Sequence, residues 1–442
     1  MSNEDWETTR AGGVPEGRDA QHPHRAEAGA GASQASQTRN EGVVPESERA
    51  LAARRQVSLY VVFGVTLMAV LGVSSVTPAF PRVAKELGVP AQRVGMLITV
   101  FTLPGIFLTP VFGMLADRAG RKRILLPSLL LFAFAGGACA FARDFNLLLA
   151  LRFLQGIGAA SLGSLNVTLV GDLFSGRERV RAMGYNASVL SIGTASYPAI
   201  GGALAALGWY YPFALPFLAL PVAALVATRL DAPEPRGGES LERYLKGVWG
   251  SLGRRDVIGI LASGTLMFVV LYGSYLTYFP FLLARAFNAS PGLIGLVMSG
   301  MSATTAIMSS LLGRLARRYQ LRLLIAAASA GYGVALLLIL AVRNFWVLLL
   351  PVALFGAAHG IAIPALQTVL ADRAPAEHRG VLMSVNGVAL RLGQTLGPVL
   401  AGAAFASWGT VGAFLVGVVA SGAMLVLVLL TVPSGLQGAL RP

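Results

Sequence analysis

The sequence predicts an all-α membrane protein in which twelve transmembrane helices form two homologous six-helix bundles. Three observations predict this fold class: the apolar composition, the number of apolar stretches, and a pattern that returns after 200 residues. Of the 442 residues, 55% are hydrophobic and 13% are charged, whereas soluble domains carry about 25% charged residues. A water-soluble core cannot bury so much apolar surface, so a polytopic membrane protein follows.

Each predicted helix is an apolar stretch that is long enough to cross a bilayer, for which about 20 residues suffice. Six stretches fall in the first half of the chain, at 57–80, 93–116, 122–142, 146–171, 180–207 and 211–229. Six more fall in the second half, at 257–284, 292–313, 321–341, 345–369, 381–406 and 412–432. The chain has one cysteine, Cys139, which excludes an intrachain disulfide and a cysteine-based metal site. We predict no metal and no cofactor.

The positions of lysine and arginine predict the orientation of the helices. With the N-terminus in the cytoplasm, the cytoplasmic segments hold 23 of these residues and the opposite loops hold six. Such an excess marks the cytoplasmic side, so both termini are predicted there, in a multi-pass protein of the cell (inner or plasma) membrane. The same asymmetry accounts for the net charge of +14, so that charge does not indicate a nucleic-acid partner.

Composition divides the chain into five segments. Residues 1–56 are poor in large apolar residues, and we expect a disordered cytoplasmic tail rather than a signal peptide. Residues 57–229 and 257–432 form the two six-helix bundles, and 433–442 form a C-terminal cytoplasmic tail. The linker 230–256 has apolar residues at helical spacing between Leu241 and Leu252, which predicts an amphipathic helix at the membrane surface.

The two bundles share polar residues at a fixed offset of 200 positions. Asp172 matches Asp372, and Asn186 matches Asn386. Common apolar composition explains chance matches of leucine or alanine, but not aspartate and asparagine in register. The repeat therefore predicts two duplicated halves in the same orientation, related by an axis along the membrane normal.

Three motifs connect the chain to a family. "GMLADRAGRKR", from Gly113 to Arg123, closely resembles the signature loop of the major facilitator superfamily. "RFLQGIGAA", from Arg152 to Ala160, resembles the fourth-helix motif of its proton-coupled drug-efflux branch. The small residues of the fifth helix resemble that branch's antiporter motif; they are Gly184, Gly193, Pro198, Gly201 and Gly202. Tyr197 departs from the motif, since the family usually has glycine there.

The resemblance implies a conformational lock at the cytoplasmic side. Asp117 is expected to face the positive N-terminal end of helix eleven, and Arg121 to pair with Asp117 and Asp172. The lock residues, taken with the arginine that the family links to proton transfer, are Gly113, Asp117, Arg118, Gly120, Arg121, Asp172 and Arg152. The second copy has Arg317 in place of Asp117, so an asymmetric lock is expected.

Ionisable residues deep in a membrane are costly and indicate function. No acid lies deep in a predicted helix, whereas Arg152, His359 and Arg391 do. The alternatives are that Arg152 extends to the interface, that Arg391 bonds backbone carbonyls, and that His359 is a packed core residue. Because the helices lack a buried carboxylate, a coupled proton must use Asp117, Asp172 or His359.

Polar and aromatic residues on several helices are predicted to line a central substrate cavity. They are Gln155, Asn166, Tyr185, Asn186, Tyr272, Tyr275, Met298, His359, Asn386, Arg391 and Gln394. The glycine and proline pattern of the fifth helix returns in the eleventh, where it predicts close helix packing. The residues of the second copy are Gly393, Gly397 and Pro398.

The function that these features predict is proton-coupled efflux of an amphipathic drug-like compound or metabolite by a monomeric secondary transporter. Its partners are then the small molecule, protons and the lipid bilayer. Two other transport functions stay open: translocation of a lipid, glycolipid or anionic metabolite, and uptake or facilitated diffusion. A membrane enzyme or sensor lacks support, because no nucleophile–base pair or metal spacing is found.

Overall fold

The computed structural model describes residues 46–232, 254–373 and 379–432. Helical structure begins at Glu46, inside the segment predicted as a tail. The physical reason is that "ESERALAARR" contains good helix formers although it is polar. The rest of the predicted N-terminal tail, the whole of the predicted linker helix and the residues 433–442 lie outside the described part.

Eleven helices of the described chain are long and apolar enough to cross a membrane. In chain order, they are α1 (Arg54–Glu86), α2 (Ala91–Ala119), α3 (Arg121–Phe141), α4 (Phe145–Leu173), α5 (Gly176–Leu207), α6 (Tyr211–Arg229), α7 (Arg255–Ala286), α8 (Pro291–Arg318), α9 (Leu321–Ala341), α10 (Phe345–Arg373) and a last segment (Val381–Thr431). These helices confirm the predicted all-α membrane fold.

The last segment consists of two helices, α11 and α12, that meet at a sharp bend. Trp408 and Gly409 have non-helical backbone angles, and Gly409 has a φ of +59°. A positive φ is readily adopted only by glycine, so the sequence fixes the bend there. Counting α11 and α12 separately gives the twelve helices that the apolar stretches predict.

We name the two ends of the bundle by residues: the Arg121 end carries the turn between α2 and α3, and the Trp408 end carries the turn between α11 and α12. Side-chain caps start two helices at the Trp408 end. Asp144 accepts a hydrogen bond of 2.9 Å from the Leu147 amide at the start of α4. Ser290 accepts one of 3.3 Å from the Leu293 amide at the start of α8. Each cap satisfies an amide that the first helical turn leaves unpaired.

The duplication is visible in equivalent hydrogen bonds. Thr109 on α2 donates to the Ala160 carbonyl on α4 at 2.9 Å. In the second half, 200 residues later, Ser309 on α8 donates to the Gly360 carbonyl on α10, also at 2.9 Å. The same helix pair is thus held by the same bond in both halves, as duplication requires.

The two halves meet at the Trp408 end. The hydrogen bonds found between described residues of the two halves all lie between the middle of the bundle and this end. They are Thr99 Oγ1 to the Thr395 carbonyl, Thr102 Oγ1 with Thr395 Oγ1, the Ala199 amide to Ser299 Oγ, Tyr278 OH to the Gln92 carbonyl, and Arg391 Nη2 to the Ala160 carbonyl. The structure therefore has its halves joined at the Trp408 end.

Candidate functional site

The residues of the signature loop join α2, α3 and α4 at the Arg121 end. Arg121 Nη2 lies 2.9 Å from Asp117 Oδ1, and its Nε is paired with Asp172. Gly120 makes the turn before Arg121 with a φ of +99°, which other residues rarely adopt. The turn directs Arg121 back over α2, where its Nη1 also donates to the Ala116 carbonyl at 3.4 Å. The ion cluster therefore links three helices of one half.

Three residues of the predicted lock, Gly113, Asp117 and Arg118, are not closely packed in this conformation. A Cβ atom added at Gly113 would meet no atom within 4 Å, so no helix packs closely against this glycine. Arg118 is exposed, and Asp117 keeps 45% of its side chain exposed. The described ion pair of Asp117 is with Arg121 of its own half rather than with α11. The physical reason is that the halves are joined at the opposite end.

Small residues on α5 bring the halves together at the Trp408 end. A Cβ atom added at Gly202 would lie 3.0 Å from Gly295 Cα on α8. A Cβ atom at Gly295 would in turn overlap the Pro198 carbonyl oxygen. Within the first half, a Cβ atom added at Gly201 would overlap the Ser75 carbonyl oxygen on α1. These glycines allow backbone-to-backbone approach, as small residues do in membrane helices.

The equivalent residues of α11 pack at two interfaces. Pro398 meets the other half, because a Cβ atom at Gly95 on α2 would lie 3.1 Å from Pro398 Cβ. Gly393 and Gly397 pack inside their own half, against the backbone of α7. A Cβ atom at Gly397 would lie 2.9 Å from the Gly273 amide nitrogen. The repeated motif therefore serves both the packing within one half and the contact between halves.

The other two motif positions on α5 differ in their surroundings. A Cβ atom at Gly193 would lie 3.0 Å from Leu67 Cδ2 on α1 and 3.3 Å from the Tyr197 ring. Tyr197 is buried, so it fills space beside this glycine. A Cβ atom at Gly184, nearer the Arg121 end, would meet nothing within 4 Å. Close packing at Gly184 is therefore absent from this conformation.

Arg152 is fully buried on α4, about 30 Å along the helix from Asp172 at 1.5 Å per residue. Its Nη1 donates to Gln155 Oε1 at 2.7 Å, and its Nε donates to the Leu97 carbonyl at 3.2 Å. The guanidinium carbon lies 4.3 Å from the centre of the Phe101 ring. Arg152 therefore neither extends to the interface nor belongs to the cluster around Arg121; it lies inside the first half with Gln155.

Asn166 and Asn186 belong to a hydrogen-bonded group that links α4, α5 and α1. Thr66 on α1 connects them: its Oγ1 donates to Asn186 Oδ1 at 2.6 Å and accepts from Asn166 Nδ2 at 3.0 Å. All three residues are buried. The sequence prediction missed Thr66, because a lone threonine among apolar residues carries no signal of its own.

His359 and Tyr275 lie inside the second half. The Tyr332 hydroxyl is 2.5 Å from His359 Nδ1, a partner that the sequence did not indicate. Tyr275 is fully buried, with ring centroids 4.7 Å from Phe279 and 4.6 Å from Phe355. This corrects the expectation that Tyr275 lines the cavity: neighbouring aromatic rings enclose it.

The other predicted cavity residues are exposed to different degrees. Met298 and Asn386 are buried. Tyr272 and Gln394 are half-buried, and Tyr272 stacks on Phe268 with centroids 5.5 Å apart. Tyr185 is 58% exposed near the Arg121 end. The predicted set therefore does not form one lining surface in this conformation.

Arg391 lies between the halves, half-buried in the middle of α11. Its Nη2 is 3.5 Å from the Ala160 carbonyl oxygen on α4. A Cβ atom added at Gly105 on α2 would overlap its guanidinium. A cation of the second half is thus seated on the backbone of the first half.

Two duplicated six-helix halves that join at one end, with polar side chains between them, define a membrane transport protein. The sequence profile of the Major Facilitator Superfamily matches residues 62–284 and 261–442, and the chain belongs to this superfamily. It is a multi-pass secondary transporter of small molecules and not an enzyme.

Curated relatives and a solved structure agree with this assignment. The Bacillibactin exporter of Bacillus subtilis is 27% identical over 350 residues, which cover 76% of this chain and 86% of that protein. The quinolone resistance protein NorA of Staphylococcus aureus is 25% identical over 355 residues, covering 78% and 89%. The crystal structure of the nucleoside transporter NupG has a TM-score of 0.72 at 13% identity, covering 85% and 98%. At that identity, the likeness to NupG shows the fold alone.

Proposed function

We propose that the chain exports amphipathic small molecules in exchange for protons, by alternating access. The observation that carries the proposal is the contact between the halves. It is built from glycine, proline and hydroxyl side chains at the Trp408 end, as between Gly202 and Gly295. Such a contact is small enough to open and close as the halves rock about the centre.

The Arg121 end is proposed to face the cytoplasm of the cell membrane, because 23 basic residues lie in segments on that side against six on the other. Large apolar side chains on the outer surface are proposed to face lipid. Examples are Phe107, Phe134, Trp346 and Leu430, whose exposures are 68%, 58%, 75% and 78%. A single chain contains both halves, so a monomer is proposed as the transporting unit.

The names of the relatives favour export. One is an exporter of bacillibactin and another confers quinolone resistance. Export is stated in the first name, and resistance to a drug is what its export would produce; both proteins match more than three quarters of this chain. We therefore favour export over uptake or facilitated diffusion.

Proton coupling is proposed for groups that can change charge during the cycle. Asp117 and Asp172 share Arg121, so opening and closing of the Arg121 end would change their surroundings. His359 is the histidine of the described helices and bonds Tyr332. Arg152, buried beside Gln155 in the first half, carries its positive charge about 30 Å along α4 from Asp172.

A second candidate function is translocation of an anionic metabolite or lipid. The observation that favours it is Arg391, a cation between the halves that is half-buried and seated on backbone atoms. An anionic group on the transported molecule would neutralise it.

The export proposal is tested in everted membrane vesicles prepared from cells that produce the chain. A proton gradient, acid inside, is expected to drive accumulation of ethidium, and dissipating the gradient with an ionophore should remove it. Asp117→Asn removes a carboxylate proposed to change charge during the cycle and should lower the initial rate at least tenfold. The protein yield should be unchanged, because Arg121 keeps Asp172 as a partner.

Glu86→Gln is the matched control, since it removes an exposed carboxylate outside the cluster, at the end of α1. Its rate should equal that of the unmodified chain. Gradient-independent accumulation would contradict proton coupling. No transport of ethidium, of a neutral dye or of an aromatic carboxylate such as rhodamine 110 would contradict efflux. Full activity of Asp117→Asn would remove the Arg121 cluster from the mechanism.

A further inference from the structure

Arg391 reaches from the second half into a seat formed by the first half. Its guanidinium lies over Gly105 on α2, where a Cβ atom would lie 2.7 Å from its Cζ. Its Nη2 is 3.5 Å from the Ala160 carbonyl oxygen, and a Cβ atom at Gly163 would be 3.9 Å from the same nitrogen. Small residues at three positions thus make room for one arginine.

The sequence supplies no carboxylate near this seat. There is no aspartate or glutamate between 257 and 371 or between 378 and 442. On α2 and α4 the first acids toward the Arg121 end are Asp117 and Asp172, each twelve positions beyond Gly105 and Ala160. Twelve helical residues span about 18 Å, and both acids are paired with Arg121.

The hydrogen-bonding capacity of the guanidinium is largely unused. An arginine side chain carries five N–H donors in a planar fork, and the described residues give this fork one acceptor, at the long limit of 3.5 Å. The seat therefore holds Arg391 without neutralising it.

A ligand in the space between the halves can reach this cation. Arg391 and Tyr272 are half-buried, and Gly163 beside the guanidinium is exposed. The stacked rings of Tyr272 and Phe268 on α7 offer an apolar surface beside α11, where a Cβ atom at Gly393 would lie 2.8 Å from Phe268 Cβ. A carboxylate that matches the planar fork, on an aromatic body, fits these surroundings.

The duplicated fold does not itself require an arginine here. The equivalent position of the first half is Ser191, which bonds the Ala187 carbonyl of its own helix at 3.0 Å. Equivalent helices thus pack without a cation at this position. The arginine is a feature of one half, as expected of a residue that recognises a ligand.

We propose that Arg391 is the residue that recognises an anionic group on the substrate, so the preferred substrates are aromatic carboxylates. The inference rests on the proposed export function and names its substrate class. A carboxylate that engages Arg391 would draw the guanidinium away from Gly105 and Ala160. Substrate binding would thereby remove one contact between the halves and favour their separation at the Trp408 end.

The test compares two dyes that differ only in the carboxyl group: rhodamine 110, the free acid, and rhodamine 123, its methyl ester. Binding to the purified chain in phosphatidylcholine nanodiscs is measured by fluorescence polarisation. We expect rhodamine 110 to bind at least about tenfold more tightly, as a charge-assisted hydrogen bond allows. In Arg391→Gln the two affinities should agree within twofold, and Arg391→Lys should keep part of the preference.

Arg343→Gln removes an exposed arginine at the Trp408 end and serves as the control, with the preference intact. Equal affinities in the unmodified chain, no binding of rhodamine 110, or an unchanged preference in Arg391→Gln would overturn the assignment. The comparison within the unmodified chain holds even if Arg391→Gln does not fold. Loss of the preference when phosphatidylglycerol is added to the nanodiscs would assign the anion to lipid and overturn the carboxylate substrate.

The inference and the proposed function can fail separately. Ethidium transport in vesicles without a carboxylate preference contradicts the role of Arg391 alone. A carboxylate preference in nanodiscs, with neither ethidium nor rhodamine 110 transported in vesicles, contradicts export alone.

Discussion

Gly295→Leu is expected to stop transport while both halves stay folded. A Cβ atom at Gly295 would overlap the backbone oxygen of Pro198, and backbone cannot move aside as a flexible side chain can. Overpacking of this kind costs about 1–3 kcal/mol even for small groups, which shifts a two-state equilibrium by roughly 5- to 150-fold. Because the contact joins the two halves, the cost falls on the state that is closed at the Trp408 end.

The measurement combines transport in vesicles with labelling of Thr395→Cys by a membrane-impermeant maleimide, in a Cys139→Ala background. Labelling from the Trp408 side should rise in Gly295→Leu as transport falls. Gly300→Leu, on the same helix, is the control, because a Cβ atom there would meet nothing within 4 Å. Normal transport by Gly295→Leu, or equal losses in both variants, would contradict the role of this contact.

Gly156→Leu and Gly356→Leu are expected to lose most of the folded protein. A Cβ atom at Gly156 on α4 would overlap the Phe101 carbonyl on α2, and one at Gly356 on α10 would overlap the Met301 carbonyl on α8. Each contact lies within its own half, so separation of the two halves does not relieve the overlap. Alanine alone should cost about 1–3 kcal/mol at each site, and leucine more.

The yield and melting temperature of a detergent-solubilised fluorescent fusion measure this effect. Gly313→Leu is the control, since a Cβ atom at Gly313 would meet nothing within 4 Å. The two glycines are 200 residues apart, so similar losses are expected in the two halves. A stable, fully folded Gly156→Leu would contradict the close approach of α2 and α4.

The sequence predicted the fold because its determinants are local. Apolar length predicts each span, and polar residues in register, such as Asp172 with Asp372, predict the duplication. The paired Arg121 cluster followed from the signature loop. The helical start at Glu46 was missed, because a polar segment with good helix formers shows no apolar periodicity.

The site was predicted only in part, because burial depends on how helices rotate against each other. Tyr275 has the composition of a cavity residue but lies between Phe279 and Phe355. Thr66 and Tyr332 were missed, since their importance comes from partners on distant helices. The position of the Arg391 guanidinium depends on Gly105 of the other half. No sequence pattern within either half indicates that these two residues are in contact.

The central claim is that the halves separate at the Trp408 end during each transport cycle. The most direct test is a disulfide between Thr102→Cys and Thr395→Cys in a Cys139→Ala background, because the two hydroxyl oxygens are 2.8 Å apart across the interface. Oxidation should form the bond and stop ethidium transport, and a reductant should restore it, while each single-cysteine variant stays active under both conditions. Undiminished transport by the fully cross-linked protein would contradict alternating access.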